Sequence, residues 1–327
     1  MKNLYLFLTL ILCTFLSQAQ ISEPEFQALK TFYNATGGNQ WANKTGWQNI
    51  NTTATANDVN STWYGLELNN GHVTKIAMNS NNLVGYLPSA IGNLTWLKAI
   101  EVDNCKLGGA IPTEIGNLVN LEGLTLSANQ FTSLPASMSK LVKLKYLYLS
   151  NNPLNCPFPS DLVKSWPVIE ILQFGQCGLT GTLPDIFQFT PKLYMFSLYR
   201  NSMSGSLPPS ISKLTKIYEL DLTKNGFTGS LPTLDSCKAL SYVQFGENSF
   251  TGSVPASWAG LSAARTVNIY TNQLSGLIPS GIFSSTLTRM DAGGNFFTFE
   301  GIEPNIEKIN ALTTKVFSTT RLFPLQQ

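Results

Sequence analysis

Histidine, cysteine and paired acidic residues are the side chains in this sequence that could support catalysis or bind a metal. His72 is the only histidine, so a catalytic Ser/His/Asp or Cys/His site could use this residue alone, and no partner is evident from the sequence. A zinc site built from several histidines is impossible. The cysteines after the N-terminal segment also lack the C-x₂-C spacing of zinc sites: they are Cys105, Cys156, Cys177 and Cys237. We therefore expect no metal, no cofactor and no enzymatic activity.

Two further patterns could suggest chemistry, and neither is specific. Residues 38–45 partly match a phosphate-binding loop, but Asn43 stands where that loop needs glycine before Lys44. Glu219 and Asp221 alternate along one predicted strand and therefore face the same side. Outward acidic residues of this kind are usually solvated or face a ligand.

The charge of the chain excludes two classes of partner. Its formal net charge is +2, only 12% of its residues are charged, and like charges form no run. Binding to nucleic acid or to an anionic membrane requires clustered lysine and arginine. We therefore expect a partner of neither kind.

Residues 1–19 read as a signal peptide. Lys2 precedes an apolar run from Leu4 to Leu16, and Ser17, Gln18 and Ala19 provide a cleavage region. No later segment is apolar for long enough to cross a bilayer. The sequence thus predicts a secreted or cell-surface protein whose mature chain is not inserted in the membrane.

A repeat dominates the rest of the chain. The pattern L-x-x-L-x-L-x-x-N/C-x-L recurs ten times, at intervals of 23 to 25 residues. Its Asn or Cys falls at Asn81, Cys105, Asn129, Asn152, Cys177, Asn201, Asn225, Asn248, Asn272 and Asn295. Alternation within the pattern predicts a short strand, with residues such as Leu124 and Leu126 inward and Thr125 outward. The Asn side chain is expected to bind the backbone groups that the following bend leaves free.

The second half of each repeat resembles a known family. It reads L-x-G-x-(I/L)-P, as in Leu107–Pro112, Leu179–Pro184 and Leu274–Pro279. This pattern resembles the plant-type extracellular leucine-rich repeat of receptor-kinase ectodomains and polygalacturonase-inhibiting proteins. The resemblance implies a second short strand on the flank and a short helix or 3₁₀ turn after each proline. The predicted fold is an α/β solenoid, a curved rod of about ten leucine-rich repeats at residues 73–299, with a concave parallel β-sheet.

Both ends of the solenoid need caps. Residues 20–72 are expected to cover the first repeat with a helix near residues 25–33 and with Trp41 and Trp47. The stretch from Trp63 to Val73 resembles the plant-type cap, but Leu68 and Ser61 replace its two cysteines. This disulfide-free cap favours a bacterial member of the family. Residues 300–327 are either a C-terminal cap or the start of a linker in a longer protein.

The repeat register also predicts the state of the cysteines. Cys105 and Cys177 take Asn positions and Cys237 takes a core Leu position, so we expect all three to be buried free thiols. Cys156 replaces a repeat glycine and could approach Cys177 in the next repeat. A bridge between these two is the alternative.

The outward strand positions vary between repeats while the core positions do not, which is the contrast that recognition requires. Tyrosine and arginine are favoured anchors of binding surfaces. The predicted ligand-binding residues on the concave face are Tyr148, Gln173, Tyr199, Arg200, Asp221, Lys224, Gln244, Glu247 and Tyr270.

The leading functional hypothesis is recognition of an extracellular protein or peptide, which the family resemblance implies. Carbohydrate binding, such as adhesion to a polysaccharide, is the alternative, because tyrosines beside amides and acids also suit sugar rings. Ice binding is a third hypothesis. It rests on regular hydroxyl pairs along the flank, such as Thr180 with Thr182 and Thr228 with Ser230.

Overall fold

Twenty strands and four α-helices occupy residues 20–312 and 314–316, the part of the chain that the computed structural model describes. The helices are α1 (Glu23–Ala35), α2 (Ser160–Lys164), α3 (Phe299–Ile302) and α4 (Ile306–Ala311). The strands are β1 (Leu66–Asn69), β2 (His72–Ala77), β3 (Val84–Gly85), β4 (Ala99–Glu101), β5 (Lys106–Ala110), β6 (Gly123–Thr125), β7 (Gln130–Ser133), β8 (Tyr146–Tyr148), β9 (Ile171–Gln173), β10 (Thr180–Thr182), β11 (Met195–Ser197), β12 (Ser202–Gly205), β13 (Glu219–Asp221), β14 (Gly226–Ser230), β15 (Tyr242–Gln244), β16 (Ser249–Gly252), β17 (Thr266–Asn268), β18 (Gln273–Leu274), β19 (Arg289–Asp291) and β20 (Thr314–Val316). The predicted signal peptide lies outside the described residues.

One long sheet runs through the molecule. Its order is β1-β2-β4-β6-β8-β9-β11-β13-β15-β17-β19-β20. Only β1 is antiparallel to its neighbour, and the other strands pair in parallel. The ten strands from β2 to β19 belong to the ten predicted repeats. The sheet confirms the predicted leucine-rich-repeat solenoid.

The strand register stacks each core residue on its counterpart in the next repeat. Leu124 pairs with Ile100 on one side and with Leu147 on the other, and all three are fully buried. Thr125, between Leu124 and Leu126, is half-buried on the opposite face. A single repeat could not cover this apolar row, so the interior depends on contacts between neighbours.

The predicted flank strands form two separate sheets, β3-β5-β7 and β10-β12-β14-β16-β18. The fourth repeat has no flank strand and contributes one isolated bridge, between Pro157 and Thr180. Pro157 has no backbone N–H to donate to a ladder, which accounts for the break.

Convex turns follow most of the prolines, as predicted. The 3₁₀ turns after them are Ser89–Asn93, Thr113–Asn117, Ala136–Lys140, Phe187–Phe189, Pro209–Lys213, Ala256–Gly260 and Ser280–Ile282, and α2 takes this place in the fourth repeat. The prediction is wrong after Pro232, where the chain reaches Leu240 through two turns without a helix. Seven residues separate Pro232 from Leu240, but the same number separates Pro279 from Leu287, where a 3₁₀ turn forms, so the spacing does not account for the difference.

An aromatic cluster fills the N-terminal end of the solenoid. The ring centroid of Trp47 lies 5.0 Å from that of Trp41 and 5.2 Å from that of Trp63, and Phe32 and Tyr33 of α1 pack against the same rings. These side chains are almost completely buried. They cover the apolar row that the first repeat would otherwise expose.

At the C-terminal end, α3 and α4 follow the last repeat, and β20 pairs in parallel with β19. Asn305 is buried, and its Nδ2 donates a hydrogen bond of 2.8 Å to the carbonyl of Ile278. This contact ties the segment after residue 300 to the last complete repeat.

All four cysteines in the described residues are free thiols, so Cys156 and Cys177 are not bridged. Cys177 and Cys237 are fully buried, as predicted. Cys105 is only half-buried, and its prediction is wrong in this respect. Its Sγ lies 3.7 Å from the Met78 carbonyl of the preceding repeat.

A search of the described residues for a helix long and apolar enough to span a membrane finds none.

Candidate functional site

Asparagine side chains fix the turns that end the concave strands. Asn152 Oδ1 accepts a hydrogen bond of 2.9 Å from the N–H of Phe131 in the preceding repeat. Its Nδ2 donates to the carbonyls of Leu126, at 2.9 Å, and Leu149, at 2.8 Å. Each such residue therefore joins two repeats and satisfies the polar groups of a bend.

The same turns place one residue per repeat in the left-handed region. Arg200, Lys224 and Glu247 have φ of 53°, 60° and 53°. Their side chains project from the edge of the concave sheet, and Arg200 and Lys224 are exposed.

The nine predicted binding residues lie in three rows along the concave side. Tyr148, Gln173, Asp221 and Gln244 end strands β8, β9, β13 and β15. Tyr199 and Tyr270 follow two positions after strands β11 and β17, and the charged residues of the turns form the third row. The structure thus collects the predicted residues on one surface, although it contains no ligand and their role remains a prediction.

Two tyrosine rings of this surface occupy the space that a glycine of the preceding repeat leaves without a side chain. A Cβ on Gly175 would lie 1.9 Å from the Tyr199 ring, and one on Gly246 would lie 2.4 Å from the Tyr270 ring. Tyr199 also donates a hydrogen bond of 3.3 Å to Gln176 Oε1. The rings are therefore held against the sheet with limited freedom, as suits a binding anchor.

Glu247 connects the second tyrosine to the charged row. It accepts a hydrogen bond from the Tyr270 hydroxyl and lies 3.4 Å from Lys224 Nζ. The tyrosine hydrogen bond, together with Lys224, lowers the pKa of Glu247. Burial and the bond to Glu247 raise the pKa of Tyr270 to about 12. Glu247 is accordingly ionised and Tyr270 neutral at physiological pH.

Strand β13 carries two acidic side chains in a different environment. Burial raises the pKa of Asp221 above its ordinary range, although its Oδ1 accepts a hydrogen bond of 3.0 Å from the Thr223 N–H. Burial, and then the nearby charge of Asp221, also raise the pKa of Glu219. Desolvation without a cation nearby disfavours the charged form of both groups.

Sequence reasoning missed a groove in the N-terminal half of the concave face. It has a volume of about 410 Å³ and opens where Gly123 provides no side chain between Ala99 and Tyr146. The groove is also lined by Tyr148, Ile171, Glu101 and Glu122. A glycine at an outward strand position was the signal in the sequence. Among the predicted residues, only Tyr148 borders this groove.

His72 has a partner that the sequence did not reveal. Its Nδ1 lies 3.2 Å from Glu25 Oε2 of α1, and its ring stacks on Trp96 at a centroid distance of 4.3 Å. Glu25 Oε1 also accepts a hydrogen bond from the Val73 N–H. The Ser22 hydroxyl donates to Glu25 and not to the imidazole. This geometry joins the cap to β2 and does not activate a nucleophile.

Within residues 20–312, no group of three or more His, Cys, Asp or Glu side chains is arranged to hold a metal ion.

Comparison with known proteins agrees with this architecture. The leucine rich repeat family model matches residues 97–154. Receptor-like protein 18 of Arabidopsis thaliana is 30% identical over 101 residues, which are 31% of this chain and 12% of that protein. The chain therefore matches only a small part of this relative's length.

Solved structures show the same fold over most of the chain. A plant peptide hormone receptor, RGFR1 in complex with RGF2, is 30% identical with a TM-score of 0.67, covering 70% of this chain and 37% of the receptor chain. A plant ice-binding protein has a TM-score of 0.74 at 21% identity, covering 90% and 95% of the two chains. The second similarity concerns the fold alone.

Proposed function

We propose that this leucine-rich-repeat protein recognises a protein or peptide outside the cell through its concave face. The main support is the pair of tyrosines, Tyr199 and Tyr270, whose rings pack directly over Gly175 and Gly246. Rigid aromatic side chains bury a large area at a small cost in conformational entropy. The similarity to a receptor whose structure contains a peptide hormone supports the same class of ligand.

The surface between the two tyrosines supports this proposal further. It combines the acidic side chains of β13 with the exposed cations Arg200 and Lys224. Interfaces gain specificity from such complementary charges rather than from area alone. We infer from the apolar run at residues 4–16 that the chain is secreted and from the cysteine-free cap that its source is bacterial.

Selection of phage-displayed random 12-residue peptides on the purified protein tests the proposal. The selected peptides should bind at least tenfold more weakly to a Tyr199→Ala/Tyr270→Ala variant, whose folding is checked by thermal melting. A Thr228→Ala variant on the flank is the matched control and should bind as the original protein does.

A glycan array probed with the same protein covers the carbohydrate alternative. Glycan binding that the tyrosine double variant loses, combined with failure to select any peptide, would contradict peptide recognition. Peptides that bind both variants equally would contradict the concave location.

A second candidate function concerns the flank sheet β10-β12-β14-β16-β18. Two rows of exposed hydroxyls follow its strands, and they are Thr180, Ser204, Thr228, Thr251 and Ser275, with Thr182, Ser206, Ser230 and Ser253. Strands lie about 4.8 Å apart and alternate residues about 6.6 Å apart. This uncharged, periodic array favours contact with a crystalline surface such as ice.

Thermal hysteresis and ice recrystallisation assays test the second candidate. Activity should fall when Thr228→Tyr interrupts the array and should persist in the Tyr199→Ala/Tyr270→Ala variant. Absence of both activities in the original protein would remove this candidate.

A further inference from the structure

Glu219 and Asp221 occupy the two outward positions of β13. Glu219 pairs across the sheet with Met195 and Tyr242, and Asp221 pairs with Ser197 and Gln244. Two residues along a strand span about 6.6 Å. Both carboxylates therefore face the concave side within reach of a single bound side chain.

The two carboxylates differ from three other acids of the concave face in lacking a cation. Glu101 lies 2.9 Å from Lys75 Nζ, Glu122 lies 2.6 Å from Lys145 Nζ, and Glu247 is paired with Lys224. Among the described residues, neither Glu219 nor Asp221 forms an ion pair. Both are half-buried, and a desolvated, unpaired carboxylate is unfavourable until a cation joins it.

A second feature independent of these charges lies beside Asp221. Ser197 is only 6% exposed, and its Oγ has no hydrogen-bond partner among the described residues. It stands between the longer outward side chains of Gln173 and Asp221. A buried hydroxyl without a partner is rare in folded proteins. The Ser197 hydroxyl can form a hydrogen bond with a ligand that inserts between the side chains of Gln173 and Asp221.

Tyr242 pairs with Glu219 across the sheet, and its ring belongs to a row of three tyrosine rings. Tyr218 stacks on Tyr194 with a centroid distance of 5.0 Å, and its ring lies 5.3 Å from that of Tyr242 in an edge-on arrangement. Aromatic faces attract cations. A guanidinium group is flat, carries five donors and stacks on rings, so it suits this surface better than an ammonium group.

We propose that Glu219, Asp221 and Ser197, bordered by Tyr218 and Tyr242, form a subsite for an arginine side chain of the bound peptide. This assignment rests on the proposed peptide-binding function and specifies the chemistry of its ligand. The guanidinium group is bound by the two carboxylates, the Ser197 hydroxyl bonds to the same ligand, and the tyrosine rings border it.

Titration with the tripeptide acetyl-Gly-Arg-Gly-amide, followed by NMR of the amide-labelled full chain, tests the subsite. The arginine peptide should shift the amide signals of residues 219–221 and 197. Acetyl-Gly-citrulline-Gly-amide, which has nearly the same shape without the charge, should bind at least tenfold more weakly. The lysine analogue should bind between the two.

Variants of the chain separate the subsite from general charge attraction. Asp221→Asn and Glu219→Gln should each weaken arginine binding by at least fivefold, and Ser197→Ala should weaken it while leaving the melting temperature unchanged or raised. Glu122→Gln, which alters a paired acid on the same face, should have no effect. Equal binding of the arginine and citrulline peptides, or loss of binding in Glu122→Gln alone, would overturn the assignment.

The selected 12-residue peptides distinguish this failure from failure of the proposed function. If they bind the concave face but bind Asp221→Asn and Glu219→Gln as tightly as the original chain, the subsite is wrong and peptide recognition stands. If no peptide is selected, peptide recognition is wrong, and the tripeptide titration decides separately whether the acidic pair binds guanidinium.

Discussion

The asparagine ladder is the residue-scale feature on which the strand ends depend. Asn152 is almost fully buried and makes three hydrogen bonds to backbone groups of two repeats. Cys177 replaces asparagine in the next repeat, and its Sγ lies 3.2 Å from the Leu149 carbonyl. A thiol cannot both accept from a backbone N–H and donate to two carbonyls as the asparagine amide does, so the ladder is weaker at this position.

Asn152→Ala should lower the free energy of unfolding by about 2–4 kcal/mol, because buried backbone groups lose their partners. The measurement is chemical denaturation followed by circular dichroism. Asn120→Ala is the control, since the two hydrogen bonds of the Asn120 side chain, to the Thr95 carbonyl and from Lys143 Nζ, are both exposed. It should change stability by less than about 0.5 kcal/mol. Equal effects of the two substitutions would contradict a structural ladder.

The buried cysteines should resist alkylation in the folded protein. Burial raises the pKa of the Cys177 thiol to about 12 and that of the Cys237 thiol to about 11. The thiolate is the reactive form, so iodoacetamide at pH 8 should modify half-buried Cys105 and Cys156 first. Mass spectrometry of peptides locates the modified residues. Rapid native modification of Cys177, or its isolation in a disulfide with Cys156, would contradict the structure.

The buried acid of β13 should give the protein a pH-dependent stability. Burial raises the folded-state pKa of Asp221 above its ordinary value of 3.8, so the folded state binds protons more tightly than the unfolded state. Stability should therefore fall as pH rises from 3.8 through the raised pKa. At any pH above that raised pKa, the free energy of unfolding stays lower than it is below pH 3.8.

Asp221→Asn should consequently be more stable than the original protein at pH 7, and this advantage should vanish below pH 3.8. Thermal melting across the pH range measures the difference. Glu122→Gln is the control, because Lys145 lowers the pKa of Glu122. Removing the charge of Glu122 should therefore not raise the melting temperature at pH 7. If Asp221→Asn is less stable than the original protein at pH 7, the prediction is wrong. Favourable contacts of the carboxylate would then outweigh the cost of its desolvation.

Glycines determine how closely the 3₁₀ turns of neighbouring repeats pack on the convex side. A Cβ on Gly116 would lie 2.5 Å from the carbonyl oxygen of Ser137, which belongs to the next turn. Backbone atoms cannot yield as a flexible side chain can. The spacing of neighbouring repeats on the convex side is therefore limited by this residue and its counterparts, such as Gly92.

Gly116→Ala should destabilise the protein by about 1–3 kcal/mol through overpacking. Gly123→Ala is the matched control, because its new Cβ would lie 3.9 Å from Ala99 and Tyr146, an ordinary contact. It should be neutral or slightly stabilising. Denaturation midpoints of the two variants check this, and a tolerated Gly116→Ala would show that the turns have room to separate.

The sequence predicted the elements well wherever one repeat position has one physical role. Alternating Leu124, Thr125 and Leu126 predicted strand β6 because burial follows the pleat. The position of the Tyr199 ring was not predictable in the same way, since it depends on Gly175 in another repeat. The absence of a helix after Pro232 was not predictable either, since the repeat that contains Pro279 has the same seven-residue spacing to its next core residue, Leu287, and does form a 3₁₀ turn.

At the scale of the whole molecule, stability passes from neighbour to neighbour along the solenoid. The predicted aromatic cap is present, but Glu25, which joins α1 to His72 and Val73, was not identified in advance. An acidic residue in a helix has many common roles, and only the assembled structure shows that the side chain of Glu25 is 4% exposed.

Trp47→Ala should destabilise the first repeats more than the last ones. Removing a fully buried tryptophan costs about 3–5 kcal/mol, and the loss falls on the cap and its neighbours. The exchange rates of the amides of residues 66–77 should increase more than those of residues 219–221. Uniform acceleration along the chain would instead indicate that the solenoid unfolds as one unit.

Hydrogen exchange of the protein with and without a library-selected peptide tests the concave binding surface most directly. The turns at residues 199–200, 223–224, 246–247 and 270–271 edge that surface, so their amides should be protected by the peptide. Protection confined to the flank strands near residues 180–182 and 228–230, or to the convex turns, would contradict recognition through the concave face.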